Sequence, residues 1–219
     1  MNGNDPVKPG LRERKRRETR AALSLAAIRL CLQRGWENVT VDDIAAVANV
    51  SPRTFRNYFS TKAEAVAAGH LERMLRIADE LRVRPADEPL WTAVSHSVAS
   101  QFETPAQKAP EVNRWRERVR FLFTEPAIHG EVLKANEAAQ GELAKAIAER
   151  TGAKGKNPLY PHLLAAVVTA VVGVVGERWM RGGPSGSIVP LLQEAFDLLA
   201  AEFTENKARP TKNKRLLNN

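Results

Sequence analysis

Arg53, Thr54, Asn57 and Tyr58 fall on one face of a short helical stretch, with Arg56 at its margin. Between them they offer two guanidinium forks, a hydroxyl, a carboxamide and a phenol, groups that bond to the exposed edges of nucleobases. A guanidinium matches the O6 and N7 acceptors of guanine, and a carboxamide matches N6 and N7 of adenine. Phe55 and Phe59 lie four residues apart on the opposite face and read as core anchors. Ser51 is placed to cap the stretch, and Pro52 takes the first helical position, where a missing N–H costs nothing; both are counted with this face as candidate nucleic-acid contacts. Thr40 and Lys62 open the neighbouring helices, where unpaired N–H groups and a cation can hold phosphates.

These side chains need a frame, and the surrounding residues supply one. A helix is expected from Leu11, with Leu23, Ala26, Ala27, Leu30 and Cys31 at spacings of three and four, closed by Gly35. Thr40 with Asp43 has the pattern of a capping box and opens a second helix over Val41–Ala48, whose apolar face is Ile44, Val47 and Ala48. Ala48-Asn49-Val50 makes a tight turn in which Asn49 adopts positive φ. The reading helix then runs over Pro52–Phe59, and Thr61 with Glu64 starts a fourth. Two short helices joined by a tight turn form a helix-turn-helix, in which the first crosses the DNA backbone and the second enters the major groove.

The rest of the chain is helical by the same criteria. Leu71 to Leu81 continues the fourth helix as far as Arg84-Pro85, and Trp91 to Phe102 gives a fifth. Val112 to Leu122, Ile128 to Arg150, Pro161 to Arg181 and Ile188 to Phe203 give four more. No run alternates with period two for long enough to argue a sheet. The expectation is an all-α chain: a flexible arm over 1–10, a three-helix DNA-binding head over 11–62, a helical body over 63–205 and a basic, disordered tail over 206–219.

Charge follows the same division. The chain has 219 residues and a formal net charge of +8. Residues 1–62 hold 12 Lys and Arg against 6 Asp and Glu, residues 201–219 hold 5 against 2, and the stretch between holds 16 against 17. A basic end on a neutral body suits phosphate contacts, because clustered cations release the counterions of nucleic acid; a solubilising tail fits the same numbers.

With these residues in place, the sequence resembles the Tet repressor (TetR) family of bacterial transcription regulators. The resemblance rests on Thr40-Val41 through Ile44-Ala45, Ala48 through Val50-Ser51, Thr54-Phe55 through Asn57-Tyr58-Phe59, and Lys62 with Glu64. It is tight over 15–70 and elsewhere rests on length and helix count. Asn49 stands where the family usually has Gly, and Arg53 where Gly is frequent, as in a subgroup with Arg-Thr-Phe here. The resemblance implies a homodimer whose N-terminal helices bind a palindromic operator on double-stranded DNA. It also implies a C-terminal ligand-binding and dimerisation domain, in which a small molecule tilts the fourth helix and releases DNA. The helices at about 161–181 and 188–203 would then form the dimer seam, their Ala and Gly allowing close approach.

Within the body, Trp91, Phe102, Trp115, Phe121, Phe123 and Trp179 are candidates to line an apolar pocket, and each also fits ordinary core. Arg116 and Arg120 share a helix face that either receives an anionic ligand group or is simply solvated. His96, between Ser95 and Ser97, is a candidate ligand contact or a structural histidine. No metal site is expected, since His70, His96, His129 and His162 are scattered and Cys31 stands alone. No cofactor is expected beyond an unknown small-molecule effector. The N-terminus carries no apolar export signal, and Leu159 to Gly176 reads as a buried helix rather than a membrane span. No phosphate-binding Gly loop or Gly-x-Ser-x-Gly elbow argues for an enzyme. The reading is a cytoplasmic repressor released by an apolar or amphipathic effector. A non-specific architectural DNA binder, or a helical carrier or enzyme that retains the head, are the alternatives.

Overall fold

The computed structural model describes residues 10–103, 109–152, 159–182 and 187–208, with the side chains of 109–115 and 203–208 left aside. The expected arm, up to residue 9, and most of the basic tail lie outside these residues. Nine helices and no strand occur among the described residues. They are α1 (Leu11–Arg34), α2 (Val41–Val47), α3 (Pro52–Arg56), α4 (Lys62–Val83), α5 (Leu90–Ser100), α6 (Ala109–Thr124), α7 (Pro126–Thr151), α8 (Leu159–Met180) and α9 (Val189–Ala208). The last helix continues past the expected Phe203 to Ala208. Helix α3 is shorter than its periodicity predicts, but Tyr58 N–H and Phe59 N–H still donate to Phe55 O at 2.9 and 3.0 Å. The chain therefore keeps winding to Phe59 in a tightened last turn.

The chain divides into two compact units. The first takes the chain to Met74 together with Arg114–Ala139, so it extends beyond the head expected to end at 62. The reason is packing. Ala63, Ala65, Val66 and Ala68 of α4, Leu122 of α6 and Ile128 of α7 are buried in the same cluster as Leu23, Ala27, Leu30, Ile44, Phe55 and Phe59. Helix α4 lies close against α1 at Gly69, where an added Cβ would come within 3.1 Å of Ile28 Cδ1. Gly35 ends α1 at φ 84° and ψ 156°, a conformation essentially reserved for glycine.

The second unit comprises Leu75–Asn113 and the chain from Gln140 onward. In it α9 packs on both α5 and α8, with Leu192 and Phe196 fully buried. Arg150 donates to the carbonyls of Arg84, Pro85 and Glu88 at 3.2, 2.5 and 2.7 Å, holding the segment between α4 and α5 against α7. Helix α8 is long and apolar enough to cross a membrane by length and composition, with 39% of its most apolar window buried. Leu164, Ala165, Val168, Val172, Val175 and Trp179 form its buried side, while Leu159, Leu163 and Val174 are exposed on another.

Candidate nucleic-acid interface

The helix-turn-helix is built from caps that the sequence dictates. Thr40 Oγ1 accepts the Asp43 N–H at 3.1 Å, and Asp43 Oδ2 accepts the Thr40 N–H at 2.9 Å, closing the expected capping box. The Thr40 hydroxyl also donates to Asp43 Oδ2 at 2.6 Å, and this bond first, then that from the Thr40 N–H, holds the Asp43 carboxyl below its ordinary range, with Arg34 assisting at 3.4 Å. Helix α2 ends in paired turn bonds, from Val50 N–H to Ala45 O at 3.0 Å and from Asn49 N–H to Ala46 O at 3.1 Å. This is the Schellman arrangement, and it needs one residue in the left-handed region. Asn49 takes that position at φ 54°, as its type predicts.

Ser51 then caps α3, its Oγ accepting the Thr54 N–H at 3.0 Å and lying 2.9 Å from Thr54 Oγ1. Phe55 and Phe59 are buried, with ring centroids 5.7 Å apart. They fix the rotation of α3, so Arg53, Arg56 and Asn57 stand exposed and Thr54 and Tyr58 half-exposed. Arg53 and Arg56 make no ion pair among the described residues. An outward face carrying two guanidiniums and a carboxamide on a buried aromatic pair is what base-edge reading requires.

Lys62, expected as a phosphate contact, also makes bonds within the head. Its Nζ donates to Trp36 O at 2.7 Å and to Val39 O at 2.9 Å, and sits 4.0 Å from the centre of the Trp36 ring. At least two of its three donors thus tie the start of α4 to the segment between α1 and α2. Thr61 Oγ1 accepts the Glu64 N–H at 3.0 Å as expected, while Glu64 Oε2 accepts the Ser60 N–H at 2.7 Å in place of that of Thr61. Two further residues carry the frame without having been singled out in the sequence. Arg20 Nη1 donates to Tyr58 O at 3.1 Å and its guanidinium lies 4.4 Å over the Phe59 ring, joining α1 to the end of α3. His70 Nε2 donates to Asn136 Oδ1 at 2.7 Å, joining α4 to α7, and burial pushes its pKa down. Arg20 sits at the edge of the core-facing side of α1, a signal the helical period does contain.

The candidate ligand residues fall into different units. Arg116, Arg120 and Phe123 belong to the first, where Arg116 is buried, Arg120 exposed and Phe123 packed against the head's core. Trp91, His96 and Phe102 belong to the second. Trp91 lies against Phe196 with ring centroids 6.4 Å apart, and Phe102 is half-buried beyond the end of α5. His96 Nδ1 lies 2.8 Å from Glu88 Oε1 and 3.0 Å from Arg84 Nη2. Arg84 also donates to the Glu88 carboxylate through Nε at 2.5 Å and Nη2 at 2.8 Å, and this chiefly, with His96 assisting, lowers the Glu88 carboxyl to about 2. The Trp115 side chain lies outside the described ones. An open groove of about 520 Å³ runs along α9, lined by Pro190, Gln193, Glu194, Asp197, Leu198 and Ala201. No cluster of metal-ligating side chains occurs among the described residues.

A helix-turn-helix head joined to a helical body defines a class of one-chain DNA-binding regulators, and comparison with known proteins names the family. Residues 25–68 match the profile of bacterial regulatory proteins of the tetR family, and residues 88–204 match the MftR C-terminal domain. The HTH-type transcriptional regulator TcmR of Streptomyces glaucescens is 30% identical over 94% of this chain and 93% of its own. MftR of Mycobacterium tuberculosis, a transcriptional regulator named for mycofactocin biosynthesis, is 27% identical over 86% of this chain and 92% of its own. Among solved structures, a TetR-family regulator from Rhodococcus sp. has a TM-score of 0.51 at 24% identity, covering 83% of this chain and 98% of its own. One from Syntrophomonas wolfei has a TM-score of 0.53 at 16% identity, covering 85% and 96%. The chain belongs to the TetR family of DNA-binding transcriptional regulators.

Proposed function

We propose that this regulator is a cytoplasmic repressor that binds a palindromic operator as a homodimer and leaves it when a small apolar or amphipathic effector binds. The observation that carries the reading is the outward face of α3: Arg53, Arg56 and Asn57 exposed over buried Phe55 and Phe59. Arg53 and Arg56 suit guanine, Asn57 suits adenine, and Thr54 and Tyr58 complete the face. Ser51, Pro52 and Thr40 set its start and that of α2.

The dimer is supported by the exposed apolar residues Leu159, Leu163 and Val174 of α8 and Leu198 of α9, which a second copy would cover. Two copies related by a two-fold axis read two inverted half-sites. The effector reading is supported by aromatic residues in the second unit, Trp91 and Phe102, with Phe196 beside Trp91. An effector that favours the DNA-incompetent state weakens DNA binding by the same factor as DNA weakens effector binding. Selection from a random-sequence duplex library tests the function. Enrichment of one site with inverted half-sites, bound by two chains, is expected. Even recovery of all duplexes would leave the architectural reading in its place.

A further inference from the structure

We propose that the N-terminal three turns of α1 make a second, sequence-independent contact with DNA, gripping phosphates that flank the site read by α3; this rests on the operator-binding role proposed above. Leu11 to Ala22 are exposed or half-exposed, and the first buried residue of α1 is Leu23. At 1.5 Å per residue, about 18 Å of helix therefore extends past the head's core. Such a polar stretch gains nothing from burial.

Its charges are sorted by face. Arg14 pairs with Glu18 at 3.7 Å and Arg17 with Glu13 at 3.4 Å, which supports the helix and neutralises those arginines. Arg12, Lys15 and Arg16 make no ion pair among the described residues and are exposed. At about 100° per residue, Arg12 and Arg16 lie within roughly 20° of the direction of Leu23, with Lys15 about 80° to one side. The ridge that packs into the head through Leu23, Ala27 and Leu30 is thus continued beyond its edge by cations.

The root of this extension is fixed beside the reading helix. Arg20 bonds Tyr58 O at 3.1 Å, covers the Phe59 ring and lies 4.0 Å from Glu72. The extension accordingly leaves the head next to the C-terminal end of α3, on its core-facing side. A duplex whose groove holds α3 carries its flanking backbone past that position. Two guanidinium forks and an ammonium match phosphate oxygens in charge and geometry.

Replacing Arg12, Lys15 and Arg16 together with Ala tests the grip, because Ala preserves the helix and no core is touched. The probes are the duplex that the wild-type chain enriches and a scrambled duplex of equal length, titrated over a range of salt. The slope of log affinity against log salt is expected to flatten by about two to three per chain, at about 0.9 for each phosphate that is no longer neutralised. Affinity should fall by similar factors on both duplexes. Hydroxyl-radical protection should retract at the outer edges by about four base pairs, the length of duplex beside the roughly 13 Å from Leu11 to Thr19. Unchanged slope and footprint edges, with Arg53→Ala still losing selectivity, would overturn the flanking grip alone. If Arg53→Ala also kept full selectivity, the reading on which the grip rests would fall with it.

Discussion

Replacing Lys62 with Met separates two roles for this residue. Met keeps the length of the stem and removes only the ammonium. In the structure that ammonium makes charge-assisted bonds to Trp36 O and Val39 O at 2.7 and 2.9 Å and stands 4.0 Å from the Trp36 ring centre. Hydrogen bonds to charged groups contribute about 1.5–3 kcal/mol each when well shielded, and a cation over an exposed ring about 0.5–1 kcal/mol. Lys62 is half-buried, so water recovers part of this on removal, and a net loss of about 2 kcal/mol is expected. Urea unfolding reads the stability, and a salt titration of DNA binding reads the electrostatics. A tie between α4 and the segment before α2 predicts lower stability and weaker DNA binding with an unchanged salt slope. A phosphate contact predicts the reverse: unchanged stability and a slope reduced by about 0.9. That second pattern would refute the account of how α4 is joined to α2.

Three further outcomes follow from the frame. Thr40→Ala removes the capping box on α2 and should cost about 1 kcal/mol in urea unfolding, within the range for lost N-caps. Asn49→Gly should be neutral or stabilising, whereas Asn49→Val should cost roughly 1–2 kcal/mol, because a β-branched residue resists φ 54°. Stability should fall as pH drops below the ordinary histidine value of 6.5, because the unfolded chain protonates His70 there while burial holds the folded side chain neutral to lower pH. His70→Gln should flatten that part of the pH profile in denaturation midpoints.

The local grammar of the head was legible because each signal is short-range. Thr40 with Asp43, Ser51 with Pro52, and Asn49 between two helices need only their own few neighbours to settle the backbone. The burial of Phe55 and Phe59 followed equally from a four-residue spacing. What was not legible depends on where distant segments meet. Lys62 was read by position as a phosphate ligand, and its bonds to carbonyls 23 and 26 residues earlier could not be read from its own neighbours. Phe123, a candidate pocket residue, packs against the head's core, a neighbour that no periodicity in α6 encodes. The extension of the head's core into α4, α6 and α7 has the same origin. Helical period gives a face its polarity but does not name the partner that covers it.

The central claim is that α3 reads DNA sequence through its outward face. It is tested most directly by comparing Arg53→Ala and Asn57→Ala with the wild-type chain on the enriched duplex and on a scrambled one. Each bidentate pairing with a base is worth about 1–3 kcal/mol of discrimination, or roughly 5- to 150-fold. The account predicts that the ratio of the two affinities falls by such a factor in each variant, while folding stability is unchanged. Ratios equal to that of the wild-type chain in both variants would contradict it.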